Sequence, residues 1–119
     1  MQSIDELLKL NLEAFGERDA MKRRVALSTI WEPHGIFIDP EGLHTGLDAI
    51  DNAIEQLLLK FPDFVFCELG APDSHHGIGR LAWGFGPAGM EPAVTGLDVI
   101  VSKAGKIEAL YTFLDAAKS

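Results

Sequence analysis

Apolar residues recur at helical spacing through the first half of the chain and at strand spacing through the second. Ser3 followed by Glu6 is a capping-box pattern, and Ile4, Leu7, Leu8, Leu12 and Phe15 then lie on one helical stripe. This predicts a helix from about Ile4 to Phe15, ended by Gly16. Asp19 is placed to cap a second helix, with Met21, Val25, Ala26 and Thr29 on its inner side. From Trp31 the pattern changes. Ile36, Phe37 and Ile38 are bulky, and Asp39-Pro40-Glu41-Gly42 is a turn signal, so a strand is expected to end at Asp39. Gly46 opens a third helix with the stripe Ile50, Ile54, Leu57, Leu58 and Phe61, and Pro62 stops it.

The remainder reads as strands at Phe64–Leu69, Ile78–Phe85, Ala93–Ser102 and Lys106–Leu114. Leu81, Trp83 and Phe85 share one face of the second of these. Gly86 to Gly89 and Ala104-Gly105 supply turns. Helices first and consecutive strands afterwards, joined by short loops, indicate an α+β fold with three N-terminal helices packed on an antiparallel sheet.

The 119 residues suit one domain, 1–119, and an apolar fraction of 47% supports a buried core. Eighteen acids against ten bases leave a charge of −8, which disfavours nucleic acid and anionic membranes as partners. The one basic cluster, Lys22-Arg23-Arg24, reads as a solvated helix face. Cys67 is the only cysteine, which fits a reducing compartment, and in a strand it reads as a small buried hydrophobe. The N-terminus has neither a basic nor an apolar leader region, and no apolar run approaches ~18 residues, so the expected location is the cytoplasm. The spacing of His, Asp and Glu offers no metal site, and no phosphate-cradling glycine loop precedes a helix, so no metal or cofactor is expected.

Two acids stand out. By period two, Asp98 shares a strand face with Val94, Gly96 and Ile100, while Leu97, Val99 and Val101 take the other. A carboxylate on an apolar face must be paired, take a proton or meet water. Asp98 is therefore either a cavity acid with raised proton affinity or a core acid tied to a neighbouring strand, with Arg80 as a possible partner. Asp39 stands before proline, where a turn role with local hydrogen bonds is equally natural.

The element order, the Asp39-Pro40 strand end, Gly46, the Trp83–Gly86 strand end, Gly96-Leu97-Asp98 and Gly105-Lys106-Ile107 together resemble the nuclear transport factor 2-like superfamily, nearest its SnoaL-like polyketide cyclase and ketosteroid isomerase branch. That resemblance implies a cone of helices over a curved, mostly antiparallel sheet. It implies Asp39 as general base and Asp98 as a protonated hydrogen-bond donor; this division of roles is the one described for ketosteroid isomerase, and it is borrowed. The family's oxyanion tyrosine corresponds to Asn11, which donates from an amide and is not acidic. Some relatives are dehydratases that use histidines, and strand parity with Leu81 and Trp83 turns His75 inward. Trp31, Phe37, Trp83 and Leu110 are expected around an apolar substrate.

The expected activity is cofactor-independent isomerisation, cyclisation or dehydration of a small apolar cyclic carbonyl compound. The alternative is a non-catalytic domain that binds an apolar ligand or acts as a dimeric scaffold. In either case Leu97, Val99, Val101, Tyr111 and Phe113 form a sheet face apolar enough to predict a homodimer.

Overall fold

A computed structural model describes residues 2–115. Helix α1 spans Ile4–Phe15, and the capping box forms as the sequence indicates: Ser3 and Glu6 exchange side-chain and backbone hydrogen bonds. It buries Leu7, Leu8, Asn11, Leu12, Ala14 and Phe15. Helix α2, Ala20–Ile30, starts at Asp19, whose carboxylate accepts the Lys22 amide. Strand β1, Trp31–Asp39, turns into a short β2, Gly42–Thr45. Helix α3, Leu47–Lys60, follows from Gly46, which sits at φ 85°, a conformation that favours glycine. Among the described residues five further strands follow: β3 Phe64–Glu68, β4 Asp73–His75, β5 Ile78–Pro87, β6 Val94–Lys103 and β7 Lys106–Leu114.

The three helices pack on one face of a curved, unclosed sheet of seven strands in the order β2-β1-β7-β6-β5-β3, with β4 alongside β5. Only β1 and β7 run parallel; the other pairings are antiparallel. β2 and β4 were not evident in the sequence, because four and three residues carry too little alternation to register. The inner face carries Phe37, Leu81, Trp83, Phe85, Ile100 and Leu110, all buried against α1 and α3. Among the described residues no helix covers the outer face, where Leu97, Val99, Val101 and Tyr111 are half-buried and Phe113 is 59% exposed.

Three expectations need correction. The inner side of α2 is Arg23, Leu27 and Ile30, with Ala26 partly buried against the core as expected, while Met21 and Val25 are exposed at 82% and 68% and Thr29 is exposed too. Arg23 is therefore not part of a solvated face. Its guanidinium bonds Asp51 at 2.6 Å, Glu55 at 2.9 Å and the Glu17 carbonyl at 2.8 Å, and these three partners let a charge lie between α2 and α3. Arg24 is partly exposed, as a rim partner of Asp48. Third, Cys67 is exposed. On β3 the alternation turns Phe64 and Phe66 toward the core, which leaves Val65 and Cys67 on the uncovered side.

Arg18, in the turn between α1 and α2, donates to the carbonyls of Leu58, Phe61 and Phe64 at 2.7–2.8 Å. These include carbonyls that the end of α3 leaves without helical partners, so Arg18 fixes where α3 stops and β3 begins.

Gly96 lies opposite Trp83 in the β5–β6 register. A Cβ at Gly96 meets the Trp83 ring and, at 2.7 Å, the Phe113 carbonyl oxygen. Gly96→Ala is therefore expected to destabilise the protein by about 1–3 kcal/mol in urea unfolding, with a changed Trp83 emission, because the indole must leave its rotamer. Wild-type stability in this variant would show that the indole is not confined there.

Candidate functional site

A cavity of about 510 Å³ lies between α1, α3 and the inner face of the sheet. That volume is within the usual range of small-molecule sites. Its walls are mostly apolar: Leu12 and Phe15 from α1, Leu57 and Phe61 from α3, and Phe37, Phe66, Trp83 and Phe85 from the sheet. The aromatic side is interlocked, with Phe66 stacked on Phe85 at 4.3 Å and edge-on to Trp83 at 5.5 Å. Exposed lining residues mark the rim: Pro40 and Glu41 from the β1–β2 turn, and Asn52, Gln56 and Lys60 from α3.

Asp98 and Asp39 both border this one cavity. Asp98 is 6% exposed. Its Oδ1 accepts the Trp83 indole N–H at 2.9 Å and the Thr112 hydroxyl at 2.9 Å. Burial disfavours its charge and pushes its pKa from 3.8 up to about 6, although the bonds from Thr112 and Trp83 pull the other way. Arg80 is not its partner: the β4–β5 hairpin turns Arg80 outward, where it faces Asp73 at 3.5 Å.

Asp39 is half-buried at the rim. Its Oδ1 accepts the backbone amides of Glu41 at 3.0 Å and Gly42 at 3.1 Å, so it builds the β1–β2 turn while bordering the cavity. His44 lies across from Phe37 in the β1–β2 register and stacks on its ring, with Nε2 at 3.7 Å from Asp39 Oδ1.

Of the residues singled out in the sequence, Asp39, Asp98, Phe37 and Trp83 come together around the cavity. Trp31 and Leu110 do not border it; they are fully buried behind it. Asn11 also lies behind the wall, 1% exposed, with its side-chain oxygen accepting the Trp31 indole N–H at 2.9 Å. His75 is exposed, on a different surface from this cavity. His76 and Gly77, both at positive φ, form a two-residue turn that pairs His75 with Ile78, and the pairing of odd with even reverses the parity. Thr112 and His44 were not anticipated. Each is identified by the residue it pairs with across strands, which is a matter of register.

Among the described residues, no three His, Cys, Asp or Glu side chains converge as a metal site, and no helix is long and apolar enough to cross a membrane.

No family model matches the sequence, and no curated protein matches it. Solved structures do. A SnoaL-like family protein from Agrobacterium tumefaciens, named as a candidate isomerase, is 28% identical over 92% of this chain and 95% of its own, with a TM-score of 0.87. A candidate polyketide cyclase from Sinorhizobium meliloti is 19% identical over 94% of this chain and 99% of its own, with a TM-score of 0.72. A candidate ketosteroid isomerase from Kribbella flavida is 8% identical over 97% of this chain and 79% of its own, with a TM-score of 0.74. At those identities the last two show a shared fold alone.

The raised Asp98 pKa makes stability depend on pH with a definite sign. Between 3.8 and about 6 the folded state keeps a proton that the unfolded chain has released, so stability falls as pH rises through that window. Above it the penalty is constant, at most roughly 3 kcal/mol. Asp98→Asn keeps an oxygen for Trp83 and Thr112 and removes the charge. Thermal denaturation is expected to show this variant more stable than wild type at pH 8, with the gain disappearing by about pH 4. A variant less stable than wild type at pH 8 would contradict this account.

Proposed function

The chain has the fold of the nuclear transport factor 2-like superfamily and matches its SnoaL-like branch, and on that premise we propose that it carries out cofactor-independent acid–base chemistry on a small apolar cyclic carbonyl compound. The observation that carries this reading is two carboxyl groups bordering one apolar cavity, one of them buried, which pushes its pKa up to about 6.

In this reading Asp39 works as the base. Its Oδ1 is fixed by two backbone amides, and Oδ2 is left to take a proton from the carbon next to the substrate carbonyl. Asp98, as the neutral acid, donates to the carbonyl oxygen while that oxygen gains charge. Phe37, Trp83 and Phe85 supply flat apolar surface for a ring. Where the proton goes next separates isomerisation, cyclisation and dehydration. Trp31, Leu110 and Asn11 serve as backing for the wall, and His75 has no part.

A second reading is favoured by the turn hydrogen bonds of Asp39, which suffice to explain that residue: a non-catalytic binder of the same apolar molecules. Either reading includes one functional unit in the cytoplasm and a homodimer formed through the outer sheet face around Val99, Tyr111 and Phe113. Phe113→Glu would then shift the sedimentation of a dimer to that of a monomer, while a monomeric wild type at micromolar concentration would exclude the pairing.

Hydrogen–deuterium exchange next to the carbonyl of cyclohexanone and 1-indanone, followed by NMR in D₂O, tests the chemistry. Asp39→Asn is expected to lower the exchange rate by at least about a hundredfold while 1-indanone still binds. The wild-type rate is expected to fall as pH rises through about 6, where Asp98 loses its proton. Full exchange by Asp39→Asn would exclude Asp39 as the base. Binding without exchange in the wild type would leave the carrier.

A further inference from the structure

We propose that Trp83 and Thr112 are positioning residues that decide which oxygen of Asp98 carries its proton, so that the buried side of the cavity recognises a neutral hydrogen-bond acceptor such as a ketone or lactone oxygen. The proposal rests on Asp98 acting as a neutral acid. Beyond that reading, Trp83 and Thr112 are the residues that aim the acid.

An indole N–H only donates, so Trp83 at 2.9 Å makes Oδ1 an acceptor. The Thr112 hydroxyl, from the strand on the other side of β6, donates to the same oxygen at 2.9 Å. A proton placed on Oδ1 would face the indole hydrogen, which cannot turn away, and would force the Thr112 hydroxyl to turn from donor to acceptor. In the neutral acid Oδ1 is therefore the carbonyl oxygen, and the proton belongs to Oδ2.

Oδ2 has no hydrogen-bond partner among the described residues. Yet no side-chain oxygen there is both fully enclosed and unpartnered. Oδ2 must then reach open space, and the open space that Asp98 borders is the cavity. It presents an O–H to whatever lies against Trp83 and Phe85. A ligand carbonyl accepts from it; a purely hydrocarbon ring gains nothing from it.

The arrangement is specific to three strands. Trp83 on β5 is a diagonal neighbour of Asp98, which stands opposite Leu81, and Thr112 on β7 stands directly opposite Asp98. The other ionisable groups bordering the cavity are Asp39 and Glu41 at the β1–β2 turn, His44 on β2 and Lys60 on α3. None of them is hydrogen-bonded to Asp98.

The test is a titration of the ¹³C-labelled Asp98 carboxyl by NMR in the full chain, with no substrate. Each bond to Oδ1 favours the ionised form, so Thr112→Val is expected to raise proton affinity about tenfold, Trp83→Phe to do likewise, and Thr112→Ser to restore the wild-type midpoint. At pH 5, adding 1-indanone is expected to move the Asp98 carboxyl signal of the wild type, whereas indane leaves it in place. An unchanged or lowered midpoint in Thr112→Val, or equal responses to 1-indanone and indane, would overturn the proposal. Should Trp83→Phe fail to fold, the threonine pair decides. If these results hold but Asp39→Asn exchanges like the wild type, the positioning stands and the catalytic reading of Asp39 falls.

Discussion

A carboxyl group that water barely reaches is the constraint around which this structure is arranged. Asp98 lies on an apolar sheet face, and its ionised form is opposed by burial and aided by two donors, Trp83 and Thr112. Those opposing effects leave it able to exchange a proton near neutral pH instead of being locked in one state. The donors come from both flanking strands, so the register of β5, β6 and β7 is also the specification of the acid. Gly96 belongs to the same specification, because the missing Cβ is what admits the Trp83 ring beside Asp98.

The acid would have no use without adjacent space, and the space depends on where α3 lies. Two arginines hold that helix. Arg23 joins it to α2 through Asp51 and Glu55, and Arg18 bonds the carbonyls at its C-terminal end. Both act through several short charge-assisted bonds, which fix position better than apolar contact does. With α3 held at that distance, Leu57 and Phe61 form part of the cavity wall, and Phe61 meets Phe85 edge-on at 5.8 Å between ring centres. Behind the cavity, the Asn11 amide oxygen accepts the Trp31 indole N–H, which gives that buried donor a partner.

Much of the architecture was legible from the chain. The α1 capping box, the α3 stripe, the strand end at Asp39, the tight turn at Ala104-Gly105 and the placement of Asp98 on an inner apolar face all follow from local rules of spacing and turn chemistry. The failures were of two kinds. Arg23 and Cys67 reversed the usual link between polarity and exposure, since paired charges make an arginine admissible inside and an uncovered sheet face leaves a cysteine outside. His75, Trp31 and Leu110 were assigned to the cavity from parity or apolar character, which cannot distinguish a cavity wall from the layer behind it or follow a strand through a hairpin.

Local sequence thus determined which segments are helix or strand and that one acid would lie among hydrophobes, because capping, periodicity and turn geometry act over a few residues. Which groups touch that acid was decided only by tertiary pairing. A regular hairpin closed at Lys103 and Lys106 would bring Tyr111 opposite Asp98; an irregularity between Val101 and Ser102 shifts the register by one residue and delivers Thr112 instead. A single-residue slip in a strand exchanges the faces of all the side chains beyond it, and what selects the slip is the packing of the whole sheet.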